Sequence, residues 1–142
     1  MNPRQGAFAD RISVPERNLV TVPQGMDMTK AALAEPIATG WHAVTTAAKA
    51  SFRPLAECKA VVFGGGAVGL AAALSLHAQG CRDISVAETN PRRHETIAKE
   101  NIAIAFDPIK QNIIAENSID VVIDCVGGKE SRLAATAMAR PG

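Results

Sequence analysis

A glycine triplet, Gly64-Gly65-Gly66, stands between two apolar stretches and does most to limit what this chain can fold into. Before it, Ala60-Val61-Val62-Phe63 is a short, fully apolar run, as expected of a strand buried on both faces. After it, Val68 to Ala78 is helical in composition, and Gly80 is placed to end that helix. With Ala67, Val68 and Gly69 the turn reads Gly-x-Gly-x-x-Gly between strand and helix. Gly64 permits the tight turn. Gly66 removes a side chain, so that a pyrophosphate can approach the backbone. Gly69 lets the helix pack close to the sheet. The N–H groups of Ala67 and Val68, at the positive end of the helix, favour a diphosphate.

The segments downstream keep the same rhythm. Ile84 to Ala87 is a second strand, followed by Glu88. Pro91 to Asn101 is a helix, with Asn90 as N-cap and Pro91 at its first position. Ile102 to Phe106 is a third strand, and Lys110 to Glu116 leaves room for a turn or two of helix. Ile119 to Val126 is a buried strand, and Lys129 to Ala139 a helix. Such alternation predicts a parallel sheet with helical crossovers, hence an α/β fold.

Glu88 ends the second strand roughly 20 residues beyond the glycine turn, where a carboxylate accepts hydrogen bonds from an adenosine ribose. Its charge would repel a 2′-phosphate, so NAD is favoured over NADP. Arg92 and Arg93 follow. They either flank that ribose, offsetting part of the repulsion, or face solvent in the first turn of the helix.

Upstream the pattern differs. Ile12-Ser13-Val14 and Leu19-Val20-Thr21-Val22 read as two short strands, punctuated by Pro15 and Pro23. Two strands cannot bury their own apolar faces. Met28 to Leu33 reads as a short helix. Pro36 opens a longer one to about Ala50, with Ile37, Trp41, Val44 and Ala48 at helical spacing.

Composition excludes several classes. The 142 residues are 47% apolar and 20% charged, enough for one domain with a real core. A net charge of +1 gives no basic surplus for nucleic acid. No apolar run approaches the roughly 18 residues of a membrane span. Met1 to Asp10 lacks the apolar stretch of a signal peptide, so a cytoplasmic location is expected. The three cysteines, Cys58, Cys81 and Cys125, match no Cys-x-x-Cys pattern and read as small buried hydrophobes. His77 and His94 are expected on the surface, and His42 packed beside Trp41. Asp124, near the carboxyl end of its strand, is expected to be hydrogen-bonded in a structural role.

In their order, Ala32-Leu33-Ala34-Glu35-Pro36-Ile37-Ala38-Thr39-Gly40-Trp41-His42-Ala43, then Val61 to Leu70, then Ile119-Asp120-Val121-Val122-Ile123-Asp124 resemble the medium-chain dehydrogenases/reductases. The likeness is to their zinc-dependent alcohol and polyol branch. Gly6 to Pro23 resembles the last strands of that family's catalytic domain. The resemblance implies a partial Rossmann domain, a doubly wound parallel sheet, over residues 35–142. Residues 1–34 would be a remnant of a GroES-like β catalytic domain.

It also implies roles. Val68 would lie against the nicotinamide, and Thr39 near it. Glu88 would hold the adenosine ribose with Arg93 beside it, and Val126 would line the adenine side. Glu35 would belong to the catalytic zinc site, as ligand or close outer group. A carboxylate before Pro36 near a helix start is equally explained by the helix dipole. The family's other zinc ligands and its proton relay do not occur here, so no catalytic residue is assigned. The chain then reads as an internal fragment or a truncated reading frame. The parent would oxidise an alcohol or polyol with NAD and zinc, as a homo-oligomer. A dinucleotide-binding module without redox chemistry, or a zinc-free quinone or enoyl reductase, is the alternative.

Overall fold

The computed structural model describes residues 6–111 and 114–141. It divides into two units, residues 1–32 and 33–142.

The first unit contains no strand among its described residues. A single 3-10 turn, Glu16–Asn18, interrupts extended chain. The two strands expected over Ile12–Val14 and Leu19–Val22 are therefore not formed. Backbone at Leu19 is extended (φ −89°, ψ 132°), but no neighbouring strand accepts its hydrogen bonds, and Phe8, Ile12, Leu19 and Val20 are exposed. Extended propensity without a pairing partner does not make a sheet. Helix α1 (Met28–Ala31) closes the unit, with the Asp27 carboxylate accepting the Thr29 N–H at 2.7 Å.

The second unit begins with α2 (Ala34–Ala50). Strand β1 (Lys59–Phe63), helix α3 (Ala67–Ala78), strand β2 (Asp83–Ala87), helix α4 (Pro91–Glu100) and strand β3 (Ile104–Phe106) follow. Strand β4 (Val121–Asp124) and helix α5 (Lys129–Met138) complete it. The four strands form one parallel sheet in the order β3-β2-β1-β4. The winding direction reverses between β1 and β4, which opens a crevice at their carboxyl ends.

Strand β1 is buried on both faces, as its apolar run predicts. Ala60 and Val62 of β1 point to one side, among Val44 of α2, Ala72 and Leu76 of α3, and Ile97 of α4. Val61 and Phe63 point to the other, among Ala87, Phe106 and Ile119, with Ala134 and Met138 of α5 over them. Helix α4 has the ends expected of it. The Asn90 side chain accepts the Arg92 N–H at 3.0 Å, Pro91 takes the first position, and Asn101 ends the helix in the left-handed region (φ 52°).

Two expectations need correction. Helix α2 starts at Ala34, two residues before Pro36, and Trp41, Ile37 and His42 are exposed; only Val44 and Gly40 of this helix are buried. The close contact runs through Gly40. A Cβ there would lie 2.7 Å from the Ala71 carbonyl carbon and the Ala72 nitrogen of α3. The bare glycine lets two backbones touch, so the larger side chains of α2 need not face inward. Gly40→Ala is expected to force the helices apart and cost about 2 kcal/mol, read as a lower urea midpoint; an unmoved midpoint would contradict this packing. The second correction concerns the crossover between β3 and β4. The described part of 107–118 contains turns at Pro108–Lys110 and Glu116–Asn117 and no helix; part of the short helix expected over Lys110–Glu116 falls on residues 112 and 113, outside the described residues.

A cleft at the carboxyl ends of β1 and β4

The glycine turn sits where β1 meets α3. Gly64 has φ +90°, a conformation that favours glycine, and its N–H donates to the Ala87 carbonyl at 2.8 Å. Gly69 has no room for a side chain: a Cβ would fall 1.8 Å from the Gly64 carbonyl oxygen. Gly66 differs from both. Its backbone is extended (φ −75°, ψ −170°), and a Cβ there would meet only Arg93, 3.8 Å away. The space above Gly66 is therefore open. The first N–H groups of α3, at Ala67 and Val68, lack intrahelical acceptors, and Gly66 has no side chain to cap them.

This turn forms one wall of a cleft of about 560 Å³. Of the residues expected from sequence, Gly64, Gly66, Glu88, Arg93 and Val126 line it. Ala67, Val68 and Gly69 form the first turn of α3 beside it. Thr39 and Glu35 are not among its lining residues. They sit one turn apart on α2, both exposed, with the Thr39 hydroxyl donating to the Glu35 carbonyl at 3.1 Å. Sequence reading took Cys125 for a small buried hydrophobe and did not single out Ser131 and Glu130; all three line the far wall, with Cys125 half-buried. Their position follows from the β1–β4 pairing, Phe63 opposite Asp124, which no local pattern announces.

Glu88 is 5% exposed, yet its carboxylate is fully engaged. Oε1 accepts the N–H groups of Thr89 and Asn90, both at 2.8 Å. Oε2 accepts the Gly65 N–H at 2.8 Å and the Arg93 guanidinium at 3.1 Å. Burial pushes this carboxyl up, but the amides of Asn90 and Gly65, the Arg93 guanidinium and the Thr89 amide outweigh it. Together they hold the group below the ordinary carboxylate range. His94 is half-buried rather than on the surface, with its Nε2 against the Glu88 carbonyl.

Asp124 has the structural role expected of it. Its Oδ1 accepts the N–H groups of Val126 (2.9 Å) and Gly127 (3.0 Å), and its Oδ2 accepts the Ser131 hydroxyl at 3.1 Å. These bonds shape the loop from β4 into α5. Burial raises the Asp124 carboxyl, while the Gly127 and Val126 amides, Ser131 and the Arg132 charge bring it below its usual value. Burial raises the Cys125 thiol, and the Asp124 charge adds to this.

Residues 46–141 match the family model described as Shikimate / quinate 5-dehydrogenase. The relatives reach further. The "Probable diacetyl reductase [(R)-acetoin forming] 2" of Saccharomyces cerevisiae is 34% identical over 125 residues, 88% of this chain and 28% of that protein. That alignment is longer than the stretch the family model matches, so it takes in residues outside that stretch as well. The crystal structure of 2R,3R-butanediol dehydrogenase from Bacillus subtilis is 30% identical, with a TM-score of 0.68 over 84% of this chain and 35% of that one. The chain belongs to the zinc-type medium-chain alcohol and polyol dehydrogenases. A putative zinc-binding dehydrogenase from Sinorhizobium meliloti, solved bound to NADP, shares the fold: its TM-score is 0.75 at 22% identity, over 89% of this chain and 38% of that one. The chain spans about a third of the length of these relatives.

Medium-chain dehydrogenases of this type use NAD(P) and zinc. The cleft fits the nucleotide, because it offers an open glycine under two unpaired helix N–H groups and a buried carboxylate beside them. The metal is a different matter. Among the described residues no three His, Cys, Asp or Glu side chains gather into a group that could hold a metal ion. Glu35 belongs to no such group, so these residues by themselves do not fit zinc. Also among the described residues, no helix is long and apolar enough to cross a membrane.

Proposed function

We propose that this chain binds NAD in the cleft between β1 and β4. It would serve as the nucleotide-binding part of a dehydrogenase that moves hydride between a small alcohol or polyol and NAD. The observation that carries the reading is the open Gly66 beside a buried Glu88 whose carboxylate accepts four hydrogen bonds. The N–H groups of Ala67 and Val68 hold the diphosphate. Gly64 and Gly69 keep the turn tight enough to present them. Glu88, flanked by Arg93, takes the adenosine ribose, and Val126 borders the adenine. Val68 and Thr39 are assigned to the nicotinamide side. NAD supplies the hydride acceptor; this chain binds and orients it, and none of its residues is assigned a proton transfer. Glu35 is the one group of this chain assigned toward zinc, and by itself it would not hold the ion. NAD is preferred to NADP because a 2′-phosphate would meet the Glu88 charge.

Gly66→Val tests the reading. Its backbone already suits any residue, and a Cβ there meets only Arg93, 3.8 Å away. Folding stability is expected to change by less than about 0.5 kcal/mol, while NAD affinity, measured by calorimetric titration, falls by roughly a hundredfold as the diphosphate loses its approach to the backbone. Unchanged NAD binding in a folded Gly66→Val protein would sink the assignment.

A further inference from the structure

A second cavity, of about 390 Å³, lies at the other end of the strands from the cleft. Lys59 begins β1 and Asp120 directly precedes β4, so both stand at the amino end of the sheet. Asp120, Arg140, Arg53, Phe52 and Ser51 line the cavity. The Asp120 side chain is 8% exposed and is already engaged. Its Oδ2 accepts the Lys59 N–H at 2.9 Å, and its Oδ1 accepts Arg140 Nη1 at 2.6 Å. Arg140 Nη2 also donates to the Ser118 carbonyl at 3.3 Å. These bonds tie the segment after α5 to the sheet, and they account for Arg140.

They do not account for Arg53. Its Nε stands 4.0 Å from Asp120 Oδ1, an ion pair too long for a hydrogen bond, and its side chain is half-exposed. The turn that carries it is nonetheless braced. Ser51 Oγ donates to the Arg53 carbonyl at 2.9 Å and accepts the Arg53 N–H at 3.3 Å. Phe52, between these two residues, is 89% exposed. A single exposed phenyl is ordinary on a surface. This one borders a cavity in which two guanidiniums face one carboxylate, leaving one positive charge in excess.

We infer that this cavity is a second ligand site, for a phosphate monoester that carries a flat ring. A guanidinium presents five N–H donors in a planar fork that matches phosphate oxygens. The three acceptor oxygens of a phosphate monoester can span Arg53 and Arg140 together, where a carboxylate has only two. The ring then lies against Phe52. The ligand would draw the turn after α2 and the segment after α5 together across the amino ends of β1 and β4. The site is independent of the nucleotide cleft: the two share no lining residue.

The test is titration of phenyl phosphate, inorganic phosphate and benzoate into the chain at low salt, followed by the NMR resonances of the backbone amides. Phenyl phosphate is expected to move the amides of Ser51, Phe52, Arg53 and Arg140 and to leave those from Gly64 to Val68 in place. It should bind about threefold more tightly than inorganic phosphate, the scale of one ring contact, and more tightly than benzoate. Arg53→Ala should weaken phenyl phosphate about tenfold, because a charge-assisted contact is lost. Its urea midpoint should stay at the parent's value, since Arg53 holds Asp120 only loosely. Arg53→Lys, which keeps the charge without the fork, should fall between the two. Phe52→Ala should remove the advantage of phenyl phosphate over inorganic phosphate, and Gly66→Val should change nothing. No saturable shift at Ser51 to Arg53 up to on the order of 10 mM phenyl phosphate overturns the site. So does parent-like affinity in Arg53→Ala, or binding that Gly66→Val abolishes, which would move the ligand to the cleft. Benzoate binding as tightly as phenyl phosphate overturns the assignment to a phosphate.

Discussion

Gly69→Ala is expected to be the most damaging single-methyl change in the nucleotide-binding unit, costing about 3 kcal/mol or more of folding stability. The new Cβ would fall 1.8 Å from the Gly64 carbonyl oxygen and 2.9 Å from its carbon. Both are backbone atoms, so no side chain can move aside. Gly64 is itself pinned, since its N–H is bonded to the Ala87 carbonyl on β2. The end of β1 and the first turn of α3 would have to separate, taking with them the N–H groups of Ala67 and Val68. A folding free energy of only about 5–15 kcal/mol leaves little margin for this. Urea denaturation followed by circular dichroism reads the loss, and NAD binding should vanish with it. The contrast with Gly66→Val, expected to spare stability while abolishing binding, separates a glycine required by the fold from one required by the ligand. A Gly69→Ala protein with the parent's urea midpoint would mean that the turn closes by some other contact.

The strand–helix alternation of the nucleotide-binding unit was legible because each signal is local. A buried apolar run, Ala60 to Phe63, fixes β1. Asn90-Pro91 starts α4 with a cap and a proline that loses no needed N–H, and both hold in the structure. The same local reasoning misled upstream. Leu19 to Val22 has the composition of a strand, but a strand exists only where another chain segment accepts its hydrogen bonds, and composition cannot supply that segment. On α2 the apolar spacing pointed inward through Ile37 and Trp41, whereas the contact with α3 is made by the side chain that Gly40 lacks. In the cleft, the glycine fingerprint marked Gly64, Gly66 and Gly69 but passed over Gly65. The structure binds its N–H to Glu88, and a Cβ there would lie 2.8 Å from Ile97 Cδ1 and 3.2 Å from the Glu88 side chain. Likewise Glu88 was legible as an acid at a strand end, but its four donors were not. They come from the glycine turn, the β2–α4 loop and α4, brought together only by the parallel register of β1 and β2.

Those donors make Glu88→Ala the second large effect. Removing the carboxylate leaves the amides of Gly65, Thr89 and Asn90 without their acceptor at a site that is 5% exposed in the parent, and leaves Arg93 without its counter-charge. A loss of about 2–3 kcal/mol in stability is expected, the scale of orphaned buried donors. NAD affinity should fall, and discrimination against NADP should shrink, because the charge that repels a 2′-phosphate is gone while Arg93 remains; an unchanged affinity ratio would remove Glu88 from the ribose. Glu88→Gln isolates the charge from the shape. The native carboxyl is held below its ordinary value of 4.5, so between the two values the unfolded chain binds more protons than the folded one, and stability rises with pH across that window. The Glu88 contribution is therefore fully present above about pH 4.5 and is lost as the pH falls through the depressed value. Asp124, depressed in the same way, adds its own acid sensitivity, so the informative quantity is the difference between parent and Glu88→Gln. That difference should be constant near neutrality and shrink in acid. If the two proteins lose stability in parallel on acidification, the charge of Glu88 is not what its four donors stabilise.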